Sequence, residues 1–400
     1  MKAAQIKSLP EVDQTLERRQ RDRLPVDVIL LACLLSLITI GLVMMTSASI
    51  SFAETDFGDA FYFAERQLIY IISGLFVAYG VWKTPLSVWF SMRVILLIFG
   101  IILLAAVLIP HVGYTVNGSA RWMRLGGVNI QISEIVKSFF IIFLAGYLAK
   151  HQARLGDSLK PVIVPVTLLL VVAGLLMLEP DYGATVVVFA TVFSMMFLAG
   201  IRLRFFLVFG GFALLAFAAL AYTSSYRMAR LSAFLDPWAD PFDKGFQLSQ
   251  SLIAFGRGEW LGVGLGESVQ KLLYLPEAHT DFVFAVVAEE LGVVGALLVI
   301  ALYACIAWRA FSIGRACYQA AQHFAAYLSF GVGSWLIFQA YVNVGVNMGV
   351  LPTKGLTLPF MSYGGSSMVM SCFSLAMLLR ADYELRFQYR EKDKERRATS

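Results

Sequence analysis

Uninterrupted apolar runs set the rhythm of this chain, at 26–49, 67–82, 88–110, 134–149, 161–178, 184–201, 205–222, 282–308, 323–346 and 358–380. A helix needs about 20 such residues to cross the roughly 30 Å hydrocarbon core of a bilayer. Continuous blocks of this kind exclude the weakly alternating strands of an outer-membrane barrel. The pattern predicts an all-α polytopic membrane protein with about ten transmembrane helices. The runs 67–82 and 134–149 are short for a span and need flanking residues such as Tyr62, Phe63 and Ser133.

The polar intervals orient the bundle. Arg18, Arg19, Arg21 and Arg23 precede the first run, and Arg386, Arg390, Lys392, Lys394, Arg396 and Arg397 follow the last, so the positive-inside tendency puts both termini in the cytoplasm. The short loops with Lys83, with Lys150, Arg154 and Lys160, with Arg202 and Arg204, and with Arg309 and Arg315 then fall inside too. Intervals 111–133, 179–183, 223–281 and 347–357 face outward. The chain thus divides into a cytoplasmic segment 1–25, a membrane domain 26–380 that includes the long external loop 223–281, and a charged cytoplasmic tail 381–400. The loop holds Phe234, Trp238, Phe242, Phe246, Phe255, Trp260 and Tyr274, too many aromatics for a disordered linker.

Composition agrees: 58% of the 400 residues are apolar and 15% charged, against roughly 45–50% and 25% in soluble domains. The net charge of +5 is small and scattered, which gives no nucleic-acid footprint. The cysteines, Cys33, Cys305, Cys317 and Cys372, lie in or beside apolar runs and imply no disulfide framework. The first run lacks a small-residue cleavage site and reads as a retained span.

Polar residues at the rim of such a bundle are the places to look for chemistry, because a charge costs about 2.5–3.5 kcal/mol at the centre of a span on insertion scales. The richest group is Glu277, His279 and Asp281, followed by an apolar helix with Glu289 and Glu290. As one helix, 282–308 would be about 40 Å long, which puts Asp281 at the outer surface near its start. There an acid either caps free helix N–H groups or does chemistry. Glu289 lies about 80° and Glu290 about 180° round from Asp281, so Glu289 is the candidate cavity-lining group and Glu290 the candidate partner of a neighbouring helix.

Arg121 and Trp122 form a second candidate, a pair suited to an interfacial phosphate. Glu134 and Lys137, three apart, either pair with each other or serve a site. Around Arg257, Gly256, Gly258, Gly262, Gly264 and Gly266 form neither a Walker loop nor a dinucleotide fingerprint; they make either an anion nest or a tightly folded loop. Between the last two runs, Lys354 is the only basic residue of its loop, and Gly364, Gly365, Ser366 and Ser367 read as a helix-packing face.

The run Tyr226-Arg227, Phe234-Leu235-Asp236-Pro237, His279-Thr280-Asp281-Phe282 and Ala288-Glu289-Glu290-Leu291-Gly292 strongly resembles the SEDS (shape, elongation, division and sporulation) family. Asp236-Pro237-Trp238, Gly256-Arg257-Gly258-Glu259-Trp260, Glu277-Ala278-His279 and Pro352-Thr353-Lys354-Gly355 resemble its division branch. The resemblance implies a ten-helix peptidoglycan glycosyltransferase that polymerises lipid II at the outer face of the cytoplasmic membrane, at the division septum. It also implies a class B penicillin-binding transpeptidase and other division proteins as partners. Asp281 takes the position of the family's essential acid. Arg121, Trp122, Lys137, Arg257, His279, Glu289 and Lys354 then form the expected substrate-binding set, with a divalent cation, Mg or Mn, as the implied cofactor and its ligands unassigned. Ile132, Glu179, Asp243 and Phe246 depart from the family pattern of Pro, Gln, Gly and Tyr. Two other readings of such a bundle are a lipid II flippase and a non-catalytic scaffold for a transpeptidase.

Overall fold

The computed structural model describes residues 26–116, 119–125, 128–155, 160–202, 210–211, 232–243, 245–353 and 355–398. Its helices are α1 (Val28–Phe57), α2 (Tyr62–Lys83), α3 (Leu86–Val107), α4 (Ile132–His151), α5 (Lys160–Leu178), α6 (Tyr182–Leu198), α7 (Phe246–Gly258), α8 (Val283–Gln319), α9 (His323–Asn347) and α10 (Gly365–Ala398). A small antiparallel sheet, β1 (Gly113–Val116), β2 (Ser119–Leu125) and β3 (Val128–Gln131), fills the interval between α3 and α4 in the order β1-β2-β3. Among the described residues six helices are long and apolar enough to cross a membrane, and α6 is a shorter apolar one. The two short runs do take in their neighbours: α2 starts at Tyr62 and α4 at Ile132. The seventh run, 205–222, lies outside the described residues except Gly210 and Gly211.

Helix limits follow local chemistry. Asp27 caps α1 by accepting from the N–H groups of Ile29 and Leu30, both at 3.1 Å, and Gly58 ends it in the left-handed region at φ 71°. One end of the bundle gathers the sheet, the α5–α6 turn, the loop before α8 and the loop before α10, tied by Gln131 to Ser366, Arg121 to Asp181 and Tyr363 to His279. At the other end Leu86 N–H bonds Glu384 at 2.9 Å, and Arg309 of α8 reaches back to Asp27. Helices α4 and α9 occupy the middle, with α9 packed on α8, α4 and α6. Polar pairs inside this core satisfy each other, as Ser138 with Ser374 at 3.1 Å and Ser194 with Ser334 at 2.9 Å.

Helix α8 is not the uninterrupted rod that its apolar run suggests. Gly292, at φ 65° and ψ −166°, breaks it, and the glycine-rich loop slots into the gap. Val263 and Gly264 N–H bond the carbonyls of Glu289 and Glu290 at 3.0 and 3.1 Å, and the N–H groups of Val293 and Val294 bond the carbonyls of Glu259 and Trp260 at 3.0 and 3.2 Å. Backbone freed inside a membrane helix must find protein partners, and this loop supplies them. A Cβ on Gly292 would lie 2.4 Å from the Gly262 nitrogen. The loop is therefore the tightly folded alternative: the N–H groups of Val263 and Gly264 serve α8 and form no anion nest.

Candidate active site

Asp281 is positioned by the turn that precedes α8. The Glu277 carbonyl accepts from the N–H groups of Thr280 and Asp281 at 3.1 Å and of Phe282 at 3.2 Å. Phe282 is the N-cap of α8, which has no side-chain cap, and the Ala285 N–H is bonded instead by Asn347 Oδ1 at 3.0 Å. The cap position of α8 thus falls to Phe282, and Asp281 lies half-buried at the rim beside it.

Three amides on α9 hold the loops in place. Asn343 and Asn347 donate to the Asp281 carbonyl at 2.8 and 3.0 Å, Asn343 also donates to the Leu356 carbonyl at 2.6 Å, and Gln339 donates to the Thr357 carbonyl at 3.0 Å. The sequence pattern singled out neither Gln339 nor Asn343 and placed Asn347 at the start of the outward interval 347–357. The signal was present, since amides four residues apart share one helix face inside an apolar run.

The loop after α9 brings Gly355 against the reactive groups. A Cβ built on Gly355 would lie 2.8 Å from Asp281 Oδ2 and 3.9 Å from Arg121 Nη2, so carboxylate and guanidinium converge on this one glycine. Gly355→Ala is expected to push the carboxylate aside and lower turnover by roughly 10–100-fold at unchanged folded yield, the scale of an ångström misplacement. Wild-type turnover of that variant would show that the approach has no consequence for catalysis.

Arg121, on β2, is in turn set by the α5–α6 turn. Its Nη1 is 3.8 Å from Asp181 Oδ1. Asp181 caps α6 through the Ala184 N–H at 3.1 Å and accepts from Ser133 at 3.0 Å; Ser133 in turn accepts from Gln131 at 3.1 Å. Ser366 at the start of α10 accepts from the Gln131 N–H at 2.8 Å, joining the hairpin to the bundle. Trp122 is half-buried on β2 opposite Tyr114 and Gln131. Beside this cluster Glu179 is fully buried, and burial, with Asp181 adding to it and Arg121 opposing, pushes its carboxyl up to about 8.

The remaining expected site residues lie elsewhere or serve other ends. Lys137 is buried between α4 and α9, donating to Glu134 at 2.7 Å and to Gln339 at 2.6 Å, so the pairing alternative holds. Glu289 lines no rim. It is fully buried and accepts from Ser268, from the N–H groups of Val269 at 3.1 Å and Gln270 at 3.4 Å, and from Arg257 at 3.3 Å. Arg257 is thereby tied to a carboxylate about 12 Å along α8 from Asp281. A buried acid amid a loop's donors anchors that loop, a role that periodicity does not reveal. Glu290, as expected, pairs with another helix, accepting from Ser47 of α1 at 2.7 Å, and it also takes a bond from Lys271 at 3.2 Å.

His279 packs against Phe63, Phe52 and Tyr363, with ring centroids 4.6, 5.6 and 5.8 Å away, and burial lowers its affinity for a proton. It stays neutral and steadies the turn through its carbonyl, which accepts from the Tyr363 N–H at 2.9 Å. Lys354 lies outside the described residues. Among the described residues no three His, Cys, Asp or Glu side chains converge as ion ligands, so the implied divalent cation finds no protein cage among them.

These features define a polytopic membrane protein with a carboxylate and a guanidinium gathered at one end of the bundle, suited to group transfer on lipid-anchored substrates. Residues 27–387 match the sequence profile of the FtsW, RodA and SpoVE family, described as cell cycle proteins, and the chain belongs to this family. It is 51% identical over 384 residues to the probable peptidoglycan glycosyltransferase FtsW of Thioalkalivibrio sulfidiphilus, covering 96% of each chain. With the protein of the same name from Legionella pneumophila it shares 50% over 359 residues, covering 90% of this chain and 91% of that one. Among solved structures, one described as the structural coordination of polymerization and crosslinking by a peptidoglycan synthase complex superposes with TM-score 0.75 at 31% identity, covering 92% of this chain and 100% of that chain. The rod shape determining protein RodA of Thermus thermophilus superposes with TM-score 0.66 at 28% identity, covering 89% and 96%.

Proposed function

We propose that this chain is a peptidoglycan glycosyltransferase that polymerises lipid II, and the observation that carries the reading is the convergence of Asp281 and Arg121 on Gly355. Asp281 accepts the proton of the acceptor's sugar 4-hydroxyl as that oxygen attacks the donor's anomeric carbon. The anomeric carbon's bond to pyrophosphate breaks in the same displacement, which inverts an α-linked donor to a β-linked polymer. Arg121 neutralises the charge that develops on the departing pyrophosphate. The bundle sits in the cytoplasmic membrane with both termini inside and the site outside, at the septum, beside a class B transpeptidase. The mutual bonding of the polar groups Lys137, Glu134, Gln339, Ser138 and Ser374 deep in the core supports polymerisation over flipping, since a flippase needs a wet polar path through the membrane.

The test is polymerisation of purified lipid II by the purified chain, with and without its transpeptidase. Arg121→Ala is expected to lower the rate by about 10–150-fold, the value of one charge-assisted contact. A wild-type chain that moves lipid II across liposomes and makes no polymer would overturn the reading.

A further inference from the structure

The α5–α6 turn holds a carboxyl that the reaction as described does not use. Glu179 is fully buried, and among the described residues neither of its oxygens has a hydrogen-bond partner; the Arg121 Nε is buried and likewise unpartnered. The charged groups facing it are Asp181, two residues on, and Arg121 from β2. One cation thus acts on two acids, of which Asp181 pairs with it at 3.8 Å and is bonded by Ser133 and the Ala184 N–H.

We propose that Glu179 is a positioning residue for the reaction: protonated, it leaves the Arg121 guanidinium to an incoming pyrophosphate, and ionised, it competes with that pyrophosphate for the same guanidinium. The proposal rests on Arg121 meeting the pyrophosphate as set out above. With Glu179 protonated, the Arg121–Asp181 pair has no net charge, and the guanidinium keeps donors for an anion. With Glu179 ionised, the cluster carries a net negative charge in a low-dielectric pocket and repels the substrate's phosphates. The raised carboxyl places this change near pH 8, so affinity for the pyrophosphate falls as pH rises through that value, up to about tenfold per unit for a single proton.

Glu179→Gln keeps the shape and is neutral at every pH. Full-length wild type and variant in detergent micelles would be compared from about pH 6 to about pH 9.5 for farnesyl pyrophosphate binding and, in parallel, for the KM and kcat of lipid II polymerisation. The expected result is equal affinity at low pH, a loss of about fivefold between pH 8 and pH 9 in wild type alone, and an alkaline rise in KM while kcat holds. Superimposable pH curves for the two proteins, or a folded Gln variant that binds weakly at every pH, would overturn the proposal. Diverging binding curves in a chain that forms no polymer would support Glu179's role and sink the polymerase reading, so the two failures are distinguishable.

Discussion

Asp281→Asn is expected to reduce polymer formation from lipid II to background while the chain still inserts, folds and binds its substrate. The carboxylate is asked to take one proton in the displacement, a step worth about 10²–10⁴-fold. Asn keeps the volume, and it keeps the backbone bonds of residue 281, the carbonyl that Asn343 and Asn347 reach and the N–H given to Glu277. The cap position of α8 belongs to Phe282, one residue on. The rate with purified lipid II in a preparation free of other glycosyltransferases is the measurement, with bound lipid II as the control. Near-normal polymerisation by this variant would end the assignment of Asp281 as base.

The second large effect is on stability. Lys137 and Glu134 have side chains only 2% exposed, and Lys137 donates to both Glu134 and Gln339. Removing one partner of such a buried pair leaves an uncompensated charge and costs about 3–5 kcal/mol, whereas replacing both by apolar residues of similar volume is close to neutral. Lys137→Met is therefore expected to lower the thermal midpoint in detergent sharply and to cut the folded yield. Adding Glu134→Leu is expected to recover most of that loss. If Lys137→Met unfolds like wild type and only weakens lipid II binding, Lys137 belongs with the substrate ligands after all.

The same residue marks where reading from sequence stopped. Lys137 and Glu134 stand three apart, which permits a pair but does not say what lies across from them; Gln339 of α9 decides it. Glu289 shows the limit in another form, because an angle round an ideal helix places it near Asp281's face but says nothing of the loop that folds over it. The glycine-rich loop remained open between two uses until α8 proved broken at Gly292, and a break in a helix depends on what can fill it. Gln339 and Asn343 went unread because an amide inside an apolar run looks the same whether it binds a neighbouring loop or a ligand.

By itself the sequence determined the class of the protein and the approximate place of its helices. Apolar blocks long enough for a bilayer leave the backbone no alternative to helix, and that constraint acts on each segment separately. It determined also that Asp281 and Arg121 are placed at rims, since charge is expelled from the middle of a span. Only the tertiary structure decided that these two meet at Gly355, that Glu179 is sealed beside them, and that Arg257 and Lys137 pair away from them. Such meetings join segments far apart in the chain, and they are settled by which buried donor finds which acceptor once the helices pack, a choice that no local pattern encodes.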